Sequence, residues 1–221
     1  MTATTDAPAS LAALLREGSA QEHRDAEEST FVRDLLAGEV DAAGYLRFLS
    51  RLAVVYDAME STAAELADDP IAAAVIDPAL ERRATIDQDL AYWSERAGVE
   101  YPGIDAVIAQ AAADSPVAAG YAQRVRESAR WGGLFVSHHY TRYLGDLSGG
   151  QVIGQKLTRD LPKGQGVAFF EFPEIPKPKP YKDDYRARLD ALEVTEDQRA
   201  EMLAEVKAAF AFNEALFREM S

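Results

Sequence analysis

The chain has 221 residues, 48% of them hydrophobic, which is enough for a substantial core and too long for a peptide that depends on cross-links. Its 37 acidic and 23 basic side chains leave a formal charge of −14, which disfavours general binding to nucleic acid or to an anionic membrane. Cysteine is absent, so disulfides, thiolate metal sites and cysteine nucleophiles are excluded, and His23, His138 and His139 are the only imidazoles.

The opening residues MTATTDAPAS lack the basic start and apolar run of a secretory signal, and no stretch reaches the roughly 18 apolar residues of a membrane span. The expectation is a flexible N-terminus over residues 1–10 and a single cytoplasmic domain over 11–221, with no membrane anchor after Ser221. Ala, Leu, Glu and Arg dominate and apolar residues recur at helical spacing, so the predicted class is all-α. Helices are expected at roughly 10–28, 30–37, 41–67, 78–97, 103–112, 115–128, 131–160, 182–192 and 195–219. Asp69-Pro70, Asp77-Pro78 and Ser115-Pro116 mark helix starts, as does Thr195 with Gln198 in a capping box. Between Lys163 and Pro180, four prolines at 173, 176, 178 and 180 predict an extended, polyproline-like path.

In the first helix Arg16, Ser19, His23 and Glu27 share a face, with Arg16 roughly 10 Å from His23 along the axis. Glu27 is placed to accept one ring proton of His23 and so leave the other nitrogen free as a ligand, although a lone helical histidine is commonly a solvated or packed side chain. His138 and His139 are neighbours about 100° apart on a helix and cannot both enter one site, so both read as structural.

The segment Tyr140–Lys156 is the most unusual, because it reads as helix yet contains Gly145, Gly149, Gly150 and Gly154. Each glycine inside a helix costs about 1 kcal/mol relative to Ala, so something must offset several kcal/mol. Either a neighbouring helix packs closely on the bare side, or a kinked helix lies over a flat ligand. Asp146 lies amid these glycines with Arg142 one turn before it. The two could form a solvated ion pair, or the carboxylate could order water and relay protons. Tyr56 and Asn213 interrupt apolar stripes and must find buried partners. Lys156, Lys163, Lys177, Lys179 and Lys182, with Arg186, crowd one stretch, either as a solvated face or as a cationic rim for carboxylates or an acidic partner.

Taken together, His23 with Glu27, the run RYLGDLSGGQV at Arg142–Val152 and YKDDYR at Tyr181–Arg186 resemble the haem oxygenase family, especially its soluble bacterial members, from about Leu11 to Phe217. The resemblance implies one all-α domain with haem between a proximal helix and a kinked distal helix. It implies His23 as axial iron ligand, Gly145, Gly149 and Gly150 as backbone over the haem, and Asp146 as holder of a distal water network supported by Tyr56, Arg142 and Asn213. Arg16, Tyr140, Lys182 and Arg186 match the propionate contacts, with Arg16 standing where a lysine is common. The implied reaction takes haem, O2 and electrons from a donor such as ferredoxin and ferredoxin reductase to α-cleaved biliverdin, carbon monoxide and Fe2+, in a monomer. Of the competing readings, a di-iron oxidase would need more Glu and His ligands, a thiaminase-like hydrolase would need a cysteine, and a haem carrier would use the same pocket without turnover.

Overall fold

In the computed structural model, residues 9–157 and 165–221 are described, apart from the side chain of Glu27. Among them the regular elements are all helical, which agrees with the apolar periodicity of the sequence. The expected flexible stretch at 1–10 lies outside the described residues as far as residue 8. Ser10 accepts from Ala13 N and caps α1 (Leu11–Gly18), and the Ala9 carbonyl receives Arg199.

The expected first helix is interrupted, since α1 is followed by α2 (Ala20–Glu27) across Ser19. The buried Ser19 hydroxyl donates to Leu15 O at 2.7 Å, a back-bond that competes with the helical ladder and distorts it. Then come α3 (Thr30–Ala37) and the 24-residue α4 (Ala42–Glu65), which Asp41 caps by accepting from Gly44 N at 2.7 Å. Leu49, Leu52, Val55, Tyr56 and Met59 form a fully buried stripe on α4, each burial stabilising by about 1.5–3 kcal/mol. Around that stripe pack α5 (Arg83–Ala97), α6 (Ile104–Asp114) and α7 (Pro116–Glu127).

Ser115-Pro116 and the Thr195–Gln198 capping box start α-helices as expected, whereas Asp77 caps only the short 3-10 turn Pro78–Leu80, and Asp69 accepts from Ile71 N and Ala72 N ahead of the 3-10 turn Ala72–Ala74. The expected helix at 131–160 divides into α8 (Gly132–Gly145), a π turn (Asp146–Gly150) and α9 (Gln151–Leu157). Residues 158–160 and Lys163 lie outside the described residues. The extended path expected up to Pro180 is corrected in two places. A 3-10 turn covers Ala168–Phe170, and α10 (Pro178–Asp190) already begins at Pro178. Both Pro178 and Pro180 sit in the first turn, where backbone N–H groups have no intrahelical acceptor and proline loses nothing.

The last helix, α11 (Glu196–Met220), runs along α8 and also touches α2, so it is the seam between the first helical segment and the glycine-rich one. Gly18 makes the approach of α1 possible, since a Cβ there would lie 2.7 Å from Leu203 Cδ1. Glu205 locks the other side of α11. It accepts from Arg124 Nε at 2.8 Å and Nη2 at 2.6 Å, and its Oε1 is 2.8 Å from His138 Nε2. Burial raises the Glu205 pKa, but the hydrogen bonds from His138 and Arg124 outweigh it and bring it from 4.5 to about 2. A depressed carboxylate stabilises the fold above pH 4.5 and loses that contribution as the pH falls toward 2. Glu205→Gln is therefore expected to flatten the dependence of the denaturant midpoint on pH between these limits; a midpoint slope equal to that of the parent would refute the assignment.

Candidate functional site

A cleft of about 750 Å³ opens between α2, α11 and the α8–π–α9 segment, within the size range of small-molecule sites. One wall carries His23, which α2 directs into the opening. Its ring meets Phe210 of α11 edge-on, with centroids 5.6 Å apart and planes at 70°, which restricts the imidazole orientation. The expected bond from His23 to Glu27 lies outside the described side chains.

Another part of the lining is the glycine segment. A Cβ built at Gly145 or Gly149 meets nothing within 4 Å, so both present bare backbone to open space. Gly150 also borders the cleft, and a Cβ there would have ordinary contacts with Phe170 and Asp146. A π turn closes i→i+5 bonds and is wider than an α turn; such single turns are frequent at functional sites. The two readings of these glycines divide along the chain. Gly154 faces protein, and a Cβ there would stand only 2.6 Å from Phe170 Cβ. Gly154→Ala is expected to lower Tm by roughly 2–6 °C through overpacking, read by thermal denaturation, whereas an unchanged Tm would mean that α9 does not rest on Phe170.

Behind the glycines lies a buried polar network. Tyr56 donates its hydroxyl proton to Asp146 Oδ2, and the Tyr56 oxygen accepts from Arg142 Nε at 3.1 Å and Nη2 at 2.9 Å. Arg142 Nη1 donates to Asn213 Oδ1 at 2.7 Å, while Nη2 stands 3.8 Å from Asp146 Oδ1. The solvated ion pair is thus excluded: Arg142 is 7% exposed and Asp146 8%. Burial pushes the Asp146 pKa up; the Arg142 charge, the Tyr56 bond and Arg82 pull it down without cancelling that effect. Burial also holds the Tyr56 phenol well above its ordinary value, so it stays a proton donor. Burial opposes the Arg142 charge, but Tyr56 and Asp146 outweigh it and keep the guanidinium protonated. Asp146, Arg142 and Asn213 border the cleft, and Tyr56 stands behind them.

Arg16, Tyr140 and Arg186 also border the cleft. Burial raises the Tyr140 pKa, and both Arg186 and Arg16 act to lower it, which sets two cations about one phenol. Lys182 is not brought to the lining. Its ammonium donates to Ser148 Oγ at 2.8 Å and to Leu147 O at 3.3 Å. His138 and His139 lie outside the lining, the latter bonded to Tyr185 and held neutral by burial, its pKa near 3. Among the described residues, no three His, Asp or Glu side chains converge as metal ligands, which disfavours the di-iron reading.

Sequence reasoning missed Phe210 and Phe217, read as core stripe residues of α11, and Arg24, one residue beyond His23. It also missed Phe169 and Phe170, an aromatic pair in a proline-rich stretch. Asp89 fixes this pair by accepting from Ala168 N and Phe169 N, and Arg82 does so by donating to the carbonyls of Phe169 and Glu171.

One imidazole, a stretch of side-chain-free backbone and several arginines in the same mostly apolar cleft fit a flat, dicarboxylic metal chelate. The family model described as Heme oxygenase matches residues 9–219. Human "Heme oxygenase 1" is 37% identical, covering 96% of this chain and 72% of its own; that of the cyanobacterium Nostoc is 35% identical, covering 95% and 85%. The solved haem oxygenase of Leptospira interrogans superposes with a TM-score of 0.84 at 34% identity, covering 96% of this chain and all of its own. Haem oxygenase-1 of Synechocystis, solved in complex with haem, gives 0.82 at 34% identity, covering 96% and 93%. A match along nearly the whole chain, in sequence and in fold together, places this protein in the haem oxygenase family.

Proposed function

We propose that this protein is a haem oxygenase that opens haem at the α-meso carbon, yielding biliverdin IXα, carbon monoxide and Fe2+ from O2 and external electrons. The observation that carries the reading is that His23 and the bare backbone of Gly145 and Gly149 border one cleft. Haem supplies the iron at which O2 is reduced, and its ring is also the substrate. With haem bound, His23 would hold the iron, and an imidazole ligand would donate less electron density than a thiolate, which would disfavour simple O–O scission. Gly145, Gly149 and Gly150 let backbone approach the ring face. Asp146 Oδ1 is free of the Tyr56 bond and can hold and deliver a proton on that side, while Tyr56, Arg142 and Asn213 fix the carboxylate. Arg16, Tyr140 and Arg186 would bind the ring carboxylates and so choose which meso carbon faces Asp146.

The lysines at 177, 179 and 182 suit a small acidic redox protein, which supports ferredoxin with its reductase as donor. A single domain over 11–221, working as a cytoplasmic monomer, completes the reading. The single domain is supported by one continuous buried cluster; among the described residues, no helix is long and apolar enough to cross a membrane. Hemin is added to the protein, and ascorbate or a ferredoxin system is then supplied in air. The expected result is loss of the Soret band with growth of a bilin spectrum. A stable Soret band would favour a haem carrier, and no uptake would end both readings.

A further inference from the structure

Lys182 occupies an unusual position between two parts of the site. Arg186, one turn along α10, borders the cleft, yet the Lys182 ammonium reaches the π turn, donating to Ser148 Oγ at 2.8 Å and Leu147 O at 3.3 Å. Ser148 Oγ in turn donates to Leu144 O at 2.7 Å. Leu144 lies in the last turn of α8 and Leu147 inside the π turn, so the junction between the two helical geometries is bridged by a three-membered chain, Leu144 carbonyl to Ser148 hydroxyl to Lys182 ammonium. Kinks go with π bulges and with side chains that insert into the i→i−4 ladder, and a serine back-bond to the i−4 carbonyl bends a helix. The neighbouring acid on α10, Asp183, is bonded to Lys179 at 2.9 Å and Arg186 at 3.2 Å.

We infer that Lys182 is a positioning residue for the π turn: together with Ser148 it latches α10 to residues 146–150 and holds them in π rather than α geometry. Asp146 is the first residue of that turn, and Gly149 and Gly150 are its last two, so the latch sets where the carboxylate and the bare backbone stand relative to the cleft. An ammonium with only a carboxylate-binding task would have no use for Ser148. The inference rests on the haem oxygenase reading only in giving the turn its task, and it is tested first without haem.

Hydrogen–deuterium exchange of the haem-free full chain is followed in peptides covering residues 145–152, with peptides from α4 as an internal reference. Lys182→Met and Ser148→Ala are each expected to speed exchange in 146–150 by about fivefold, Lys182→Arg to keep it near the parent rate, and the double variant to exceed neither single. In the loaded enzyme, Lys182→Met and Ser148→Ala are expected to shift the ratio of biliverdin isomers in the same direction. Parent-like exchange in both single variants, or additive effects in the double, would overturn the latch. So would an isomer shift confined to Lys182→Met, which would make Lys182 a carboxylate anchor alone. Failure to take up haem would sink the functional reading while leaving the exchange result to decide the latch.

Discussion

Replacing His23 by Ala is expected to abolish axial ligation and reduce bilin formation by more than about 100-fold, since changes in the shell around a ligand alone cost about 10- to 100-fold. The fold should survive, because His23 faces the cleft rather than the core. Phe210 and the α2 backbone would still border the vacated space, so added imidazole should enter it and restore part of the turnover. The checks are the absorption spectrum of the ferric complex and the initial rate of bilin appearance, with and without imidazole. Undiminished turnover in the variant would mean that another group binds the iron.

The second large effect is expected at Asp146. Its carboxylate is the acceptor at the end of a chain of fixed donors, Arg142 to Tyr56 to Asp146, and the only acidic group in that chain. Asp146→Ala should cut bilin yield by about 100-fold, the scale of a lost proton-transfer group, while reductant continues to be consumed without biliverdin. Haem uptake should persist, because Arg16, Tyr140 and Arg186, the residues assigned to the ring carboxylates, are left in place. Tyr56→Phe is expected to fall between the two, since it removes the donor that orients Asp146 and leaves the carboxylate in place. Full bilin yield from Asp146→Ala would remove this residue from the proton path.

The helical class was legible because amphipathic spacing and cap residues are local signals; Asp41, Ser115 and the Thr195 box act over three residues or fewer. The interruption at Ser19 was not, because it arises from competition between a side chain and the backbone ladder, which periodicity does not register; at 146–150 the glycines announced a kink but not its π geometry. Proline misled at 178 and 180, where its missing N–H costs nothing in a first turn. Within the site, His23, Asp146 and the glycines were conspicuous as residues that break a pattern. Phe210 and Phe170 were invisible as site residues because an aromatic facing a ligand and one facing the core obey the same apolar periodicity. The destination of Lys182 depends on how α10 crosses the π turn, a tertiary relation that sequence spacing does not encode.

The central claim is that haem lies between the His23 imidazole and the backbone of 145–150. A crystal structure of the protein with ferric haem tests it most directly. The iron should stand within about 2.2 Å of a His23 ring nitrogen, close to the usual metal–imidazole distance, with Gly145 and Gly149 over the opposite face and the ring carboxylates toward Arg16 and Arg186. Iron bound by any other side chain, or a ring seated outside this cleft, would contradict the account.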